Sequence, residues 1–213
     1  MRKPTTFLPT LALGVAGAIS VTAPSLAVPI TYIEQATATG SLNGVPFTNA
    51  NVLLRMNNDT THVIGGPTLF ENLGTATVSV NGGASVTFTN SMEVFSDTSL
   101  SPATVGFSDL TQSLDVLDDG SVFFLGYDLR TAIGPITGNP ALSSLGQPFP
   151  TTGGDFILTS IANDASTFTA TTVAVPAPPI GGLAVLIAFG GAIFGARLLE
   201  RRRARHSHPI ESN

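Results

Sequence analysis

A short acidic run holds the residue types best suited to chemistry in this 213-residue chain. Asp115, Asp118 and Asp119 lie close together in it, and carboxylate oxygens are ligands that calcium prefers. The calcium loop of an EF-hand requires ligands at positions 1, 3 and 5 and a glutamate at position 12. Counted from Asp115, those later positions hold a leucine, Asp119 and a glycine, so the motif fails. The three aspartates stay as calcium candidates, and a turn at Asp-Asp-Gly between two strands is the simpler interpretation.

Other catalytic arrangements lack their components. His62 is the only histidine before residue 206, and no Gly-x-Ser-x-Gly elbow accompanies it, so a strand or surface position is favoured over a catalytic triad. A glycosidase needs two carboxyl groups about 5–9 Å apart in a cleft, and the sequence singles out no such pair. Without cysteine, a zinc site is poorly supplied. We therefore predict no catalytic residue, no established metal site and no cofactor.

The charge of the central region also restricts its partners. Residues 28–174 hold twelve acidic side chains and only two basic ones, Arg55 and Arg130, which gives a net charge of −10. Such acidity opposes binding to nucleic acid, whose phosphates dominate affinity. The chain has no tryptophan and only two tyrosines, so the usual aromatic platforms for sugar rings are scarce.

Alternating apolar and polar residues predict that this region is all-β. The clearest hairpin joins Thr75–Val80 to Ala84–Phe88 through Asn81-Gly82. Short alternating segments between Gly, Pro, Asn and Asp clusters predict an antiparallel β-sandwich, of jelly-roll or immunoglobulin-like type. Gly134–Gly154, rich in proline and glycine, is expected to be a long loop. The further predicted strands are Tyr32–Thr39, Val52–Met56, His62–Ile64, Met92–Phe95, Leu110–Leu117, Ser121–Asp128, Asp155–Ile161 and Thr167–Val173.

The N-terminus has the three regions of a secretory signal peptide, predicted for residues 1–27. Met-Arg-Lys is followed by a short apolar stretch and then by small residues at Ser25 and Ala27. Small side chains at positions −3 and −1 predict cleavage between Ala27 and Val28. We therefore expect export through the Sec pathway.

The C-terminus is organised as a membrane anchor. A proline-rich hinge at 175–179 precedes Ile180–Ala196, an uncharged apolar run of 17 residues. As a helix it would be about 26 Å long, near the lower limit for crossing a bilayer. The segment 197–205 and the tail 206–213 carry a net charge of +3, which predicts a cytoplasmic location. The topology-setting basic residues are Arg197, Arg201, Arg202, Arg203 and Arg205.

This hinge, apolar run and arginine cluster together resemble a PEP-CTERM sorting signal. The sorting motif is read at Val175, Pro176, Ala177 and Pro178, with Ala177 where the usual form has glutamate. The resemblance covers residues 175–205. It implies an exosortase-type protease as partner, a transient or permanent hold on the inner membrane, and a Gram-negative bacterium that makes extracellular polysaccharide.

The central region resembles a domain found in many substrates of that pathway. The resemblance is carried by Gly40–Asn49, Met92–Phe95 and Tyr127–Ile136, and it implies a β-rich exported module without assigned chemistry. We therefore expect a non-enzymatic protein of the cell surface or extracellular matrix, associated with exopolysaccharide. The alternative is an exported hydrolase, or a calcium-dependent carbohydrate-binding module, delivered by the same tail.

Overall fold

The computed structural model describes residues 27–140 and 144–173. The predicted signal peptide up to Leu26, the hinge, the apolar run and the arginine cluster lie outside the described residues. Within them the chain is all-β, as predicted, and its only helices are two short 3-10 turns at Thr60–His62 and Val122–Phe124. None of the helices in this portion is long and apolar enough to cross a membrane.

In the part of the chain that the structure describes, twelve antiparallel strands form two sheets. The large sheet has the order β10-β12-β1-β2-β5-β6, and β11 also pairs with β12. The small sheet has the order β3-β4-β7-β8-β9. The strands of the large sheet are β1 (Pro29–Leu42), β2 (Val45–Asp59), β5 (Ala76–Val80), β6 (Val86–Thr87), β10 (Ile133–Gly138), β11 (Pro148–Thr151) and β12 (Gly154–Thr172). Those of the small sheet are β3 (Val63–Gly65), β4 (Leu69–Gly74), β7 (Met92–Asp97), β8 (Thr104–Asp109) and β9 (Leu114–Gly120).

The first and last strands pair with each other inside the large sheet. The register runs from Ile30 opposite Thr172 to Leu42 opposite Phe156, with bulges between. Beyond the strands, the Val173 amide donates to the Pro29 carbonyl at 3.1 Å. The two ends of the domain therefore leave it side by side.

One hydrophobic cluster draws side chains from both sheets. Phe168 of β12 is fully buried and contacts three other rings: Tyr32, Phe124 and Tyr127. Their centroids lie 5.9–6.4 Å from that of Phe168, in tilted or edge-on geometry that aromatic pairs favour. Because Phe124 and Tyr127 belong to the segment between β9 and β10, these ring contacts fix that segment on the core.

A buried polar chain joins the sheets at one end of the cluster. The Tyr32 hydroxyl donates to the Leu129 carbonyl at 2.7 Å and accepts from the Asn72 side-chain amide at 2.8 Å. Asn72 in turn accepts from the Asn58 amide at 2.6 Å. Since buried polar groups are costly without partners, this series of hydrogen bonds fixes β1, β2 and β4 in one arrangement.

Several predicted elements are confirmed, and others are wrong for identifiable reasons. The Asn81-Gly82 hairpin is confirmed between β5 and β6. Gly134–Gly154 is not one long loop, because β10 and β11 lie within or overlap it. Pro135 sits at a bulge in β10, and Pro148 is the first residue of β11; proline is tolerated at both kinds of position.

The end of the small sheet also differs from the prediction. The predicted strand Ser121–Asp128 contains a 3-10 turn instead, because the Ser121 hydroxyl caps it by accepting from the Phe123 amide. The predicted strand Leu110–Leu117 begins only at Leu114. Before it, the Asp109 carboxylate accepts the amides of two turn residues and holds the chain in a bend.

Replacing Gly82 by valine should destabilise the domain through the backbone alone. Asn81 and Gly82 both have positive φ, +51° and +69°, as a type I′ turn requires, and a Cβ on Gly82 would meet nothing within 4 Å. A β-branched residue there should cost about 1–2 kcal/mol and lower Tm by roughly 3–6 °C in thermal unfolding. Ala84→Val, in the same exposed loop without positive φ, is the control and should leave Tm within about 1 °C. Equal effects of the two changes would contradict the turn.

Candidate functional site

The acidic run predicted to be a turn lies inside a strand. Asp118, Asp119 and Gly120 belong to β9 and pair with Gly106, Val105 and Thr104 of β8, so the turn interpretation is wrong. Consecutive residues in the second half of β9 are all buried. This half of the strand therefore does not need the alternation of apolar and polar residues by which a half-exposed strand is recognised.

Each of the three aspartates has its own surroundings. Asp119 is 0% exposed and Asp118 is 2% exposed, whereas Asp115 is only partly buried. The Ser108 hydroxyl donates to an Asp115 carboxylate oxygen at 2.5 Å. The backbone carbonyl of Asp118 accepts from the Ser166 hydroxyl of β12 at 2.8 Å, which ties β9 to the large sheet.

Glu34 is a member of this acidic group that the sequence interpretation missed. It lies on the core face of β1, between Tyr32 and Ala36, and is 0% exposed. A signal was present: the inward positions of β1 are otherwise occupied by Ile, Tyr, Ala and Gly, so one acid interrupts an apolar series.

The strands bring Glu34 close to the acidic run of β9. Glu34 pairs with Phe168 of β12, and the Phe168 backbone amide lies near the Asp119 carboxylate without forming a hydrogen bond. Gly138 of β10 stands at the other side of Asp119, where any Cβ would collide with the carboxylate. The sheets also join here, because Gly120 and Asn139 exchange backbone hydrogen bonds of 2.9 and 3.1 Å.

Four carboxylate oxygens in this region have no hydrogen-bond partner among the described residues. They are both oxygens of Glu34 and both oxygens of Asp119. Ionised carboxylates taken out of water cost several kcal/mol each unless another group compensates their charge. We call Glu34 and Asp119 the buried carboxyl pair.

Burial raises the pKa of both members of the buried carboxyl pair. The pKa of Glu34 lies well above its ordinary value because of burial, with further contributions from Asp118, Asp119 and Asp115. Burial raises the pKa of Asp119 to about 7; the Phe168 amide partly offsets this, and the Asp118 charge adds to it. A third acid, Glu93 of β7, has its pKa raised to about 7 by burial and by Glu71 and Asp115.

Neither arginine of the described portion compensates the pair. Arg130 forms an ion pair with Asp128 at 3.7 Å, donates to the Val63 carbonyl at 2.9 Å and lies over the Phe70 ring. Arg55 is exposed on β2, where its Nε donates to Asn57 at 3.3 Å. Within the described residues, no group of three or more His, Cys, Asp or Glu side chains is arranged to hold a metal.

His62 lies on the surface rather than in this region. It ends the 3-10 turn Thr60–His62, which Asp59 caps by accepting from the Thr61 amide. Its Nδ1 is 2.8 Å from the Asn58 side-chain oxygen. The strand predicted to begin at His62 therefore begins one residue later, at Val63.

The outward side of the large sheet carries a second functional candidate, which we call the polar face. Hydroxyl and amide side chains follow one another across β10, β12, β1, β2 and β5, with one basic residue and two half-buried apolar residues among them. Its members are Thr31, Ile33, Gln35, Thr37, Asn51, Leu53, Arg55, Asn57, Thr77, Thr137, Thr167, Thr169 and Thr171.

The polar face is neutral apart from Arg55, although the domain as a whole is strongly acidic. Its side chains bond one another across strands: Thr31 donates to Asn57 at 2.8 Å, and the hydroxyls of Thr137 and Thr167 are 3.0 Å apart. Such bonds hold donors and acceptors at fixed spacing on a broad surface.

A shallow hollow of about 210 Å³ opens on the polar face. Gln35, Thr37, Asn51 and Thr167 line it, with alanines between them. An apolar cleft of about 370 Å³ lies elsewhere, beside the β1–β2 turn, and includes Val45 and Phe47. The polar hollow is smaller than pockets that enclose drug-sized ligands, so it suits a surface contact with part of a larger molecule.

Comparison with known proteins finds no match: no protein-family model, no curated protein and no solved structure matches the chain significantly. The resemblance to PEP-CTERM substrates therefore stays a prediction from the residues quoted above. Ala27 and Val28 lie just before β1, whereas Ser25, the motif Val175–Pro178 and the topology arginines lie outside the described residues.

The raised pKa values predict that the metal-free protein loses stability as the pH rises. Protonated Glu34 and Asp119 fit the core, so their contribution to stability is present below the unfolded pKa near 4. The contribution of Asp119 is lost as the pH rises through about 7, and that of Glu34 is lost as the pH rises through its own raised pKa. With a chelator present, Tm should fall between pH 5 and pH 8.5. Glu34→Gln, which keeps the shape and cannot ionise, should reduce that fall, whereas Asp155→Asn, at an exposed position, should not. A wild-type Tm that is flat or rises over this range would contradict the assignment.

Proposed function

We propose that this chain is an exported, non-enzymatic protein of the cell surface or extracellular matrix, and that its polar face contacts exopolysaccharide. The observation that carries the proposal is the neutral, hydroxyl-lined polar face on a domain of net charge −10. Sugar polymers present many hydroxyl groups, which pair with the donors and acceptors of Thr, Asn and Gln side chains. Arg55 adds one cation for acidic sugars.

Charge favours this face over the rest of the domain as the contact surface. A polysaccharide that carries carboxylates is repelled by acidic surface, and the side chains named as members of the polar face include no acid. Among the acids whose side chains the structure describes, Asp59 and Asp155 stand at the ends of β2 and β12. The buried carboxyl pair, in contrast, is enclosed by the core, where a polymer substrate has no access. This arrangement supports binding rather than hydrolysis.

We propose that the two sheets form a β-sandwich, of jelly-roll or immunoglobulin-like type. Two observations support this. One hydrophobic cluster takes side chains from both sheets, and the chain passes between the sheets repeatedly: from β2 of the large sheet to β3 of the small sheet, from β4 to β5 of the large sheet, and from β6 to β7 of the small sheet. The sandwich supplies a rigid support for the polar face, because every strand of that face has core contacts on its other side.

We also propose delivery by the PEP-CTERM-like tail, with a transmembrane helix at Ile180–Ala196 and an exosortase-type protease that releases the domain. The domain boundaries fit this route: β1 begins at Pro29, just after the predicted signal cleavage, and β12 ends at Thr172, just before the hinge. Cleavage at both sites would leave the β1–β12 pairing intact.

Polysaccharide binding should depend on the polar face. Thr37→Glu or Asn51→Glu places a carboxylate at exposed, cross-strand neighbours beside the hollow. Each should weaken binding to purified exopolysaccharide of the producing bacterium by about fivefold or more, since lost hydrogen bonds and added charge act together. Thr75→Glu, exposed between β4 and β5, is the matched control. Affinity electrophoresis in gels with and without the polymer measures the effect. Equal retardation of all variants would place the contact elsewhere.

Processing should remove both ends of the chain. Mass spectrometry of the released form should find Val28 first and a C-terminus near Val175–Pro178, while a strain without the sorting protease should retain Ile180–Asn213 in the inner membrane. Replacing Arg201, Arg202 and Arg203 together by glutamine should impair retention and cleavage, because less positive charge fixes the tail inside. A tail that persists equally in both strains would show an ordinary anchor.

A further inference from the structure

We propose that the buried carboxyl pair is a binding site for one calcium ion, held between β1 and β9 at the junction of the two sheets. Glu34 and Asp119 are both 0% exposed, and all four of their carboxylate oxygens are without hydrogen-bond partners among the described residues. The site is independent of the polar face and of the tail.

The charge of the pair requires a compensating cation when both groups are ionised. The chain has a single lysine, Lys3, in the predicted signal peptide, and the two arginines of the described portion are engaged at Asp128, Val63 and Asn57. Among the residues that the structure describes, no basic side chain is therefore paired with Glu34 or Asp119. A bound divalent cation supplies the charge that the sequence lacks, and further carboxylates at Asp118 and Asp115 increase the attraction.

The carboxylate oxygens of the pair favour calcium over zinc and magnesium. The pair offers oxygen only, which suits hard cations and disfavours zinc, whose sites use nitrogen and sulfur. Two bidentate carboxylates supply up to four oxygens, and calcium completes a flexible shell of about six to eight with carbonyls and water. Magnesium requires a stricter octahedron and gives up its own water reluctantly.

The neighbouring backbone is shaped to admit the carboxylate of Asp119. Gly138 faces it without a Cβ, and the adjacent Gly120 carbonyl lies at the same crossing. The Ser166 hydroxyl and the Gly120–Asn139 pairing hold β9 against β12 and β10. An ion here would link the large sheet to the small sheet, as a disulfide does in other exported domains, in a chain that has no cysteine.

Thermal unfolding of the full-length protein in detergent, with calcium chloride or with chelator, tests the site. At pH 8, 5 mM calcium should raise Tm by about 3 °C or more, and titration calorimetry should find one ion with a Kd in the range of about 10⁻⁵ to 10⁻³ M. The same concentration of magnesium should give a smaller shift. Binding should weaken at pH 6, because calcium must displace protons from the pair.

Amide variants separate this site from others. Glu34→Gln and Asp119→Asn should each lower calcium affinity at least about tenfold, since each removes a charged bidentate ligand. Glu93→Gln removes another buried acid and Asp155→Asn an exposed one, and both should keep the calcium response. If an amide variant does not fold, anomalous scattering from crystals of the wild type grown with calcium decides whether the ion lies between β1 and β9.

Two outcomes would overturn the proposal. If calcium leaves the wild-type Tm unchanged at pH 8, the pair is kept neutral by protons rather than by an ion. If Glu34→Gln and Asp119→Asn retain the full calcium response, the ion binds elsewhere. Neither outcome bears on the proposed polysaccharide binding, which is tested separately with variants of the polar face.

Discussion

The antiparallel pairing of β1 with β12 is the constraint on which the domain depends. These are two of its longest strands, and they lie side by side in the middle of the large sheet. Because β12 is the last strand among the described residues, the large sheet closes only after β12 has been synthesised. The pairing also places Glu34 next to Phe168. The buried carboxyl pair and the rings around Phe168 therefore lie together where the two sheets cross.

That crossing combines a favourable and an unfavourable feature. The Phe168 contacts bury aromatic surface, and burial of apolar surface is the dominant favourable term in folding. Beside them, two carboxyl groups without hydrogen-bond partners are among the most costly groups a core can contain. Such a cost persists where the groups serve a purpose, and the proposed calcium site gives them one. The ion would convert a costly pair of buried carboxyl groups into a link between the sheets.

The two faces of the large sheet have different roles. Inward side chains of β1 and β12 build the core and the buried carboxyl pair, while outward side chains of the same strands build the polar face. Since successive residues of a strand point to opposite sides, Gln35 and Glu34 are neighbours in sequence but belong to separate sites. A change on one face can therefore be tested with little effect on the other.

The sequence by itself determined the all-β class, strand segments within β1, β2 and β12, and the Asn81-Gly82 hairpin. These follow from local physics, because alternation reports which side of a strand is buried and a turn dipeptide reports its own backbone angles. It also supplied the targeting predictions at both ends, which depend on composition and order.

Only the tertiary structure decided which strands are neighbours. β10 and β11 formed in a proline- and glycine-rich stretch because β12 offered them a paired edge, and the Asp-Asp-Gly run became part of β9 because β8 paired with it. The approach of Glu34 to Asp119 joins residues far apart in the chain. The alternation of a strand shows that Glu34 faces inward, but not what it faces. The identity of the opposing group depends on strand order and on how the sheets cross, and that is why the site arises from the fold.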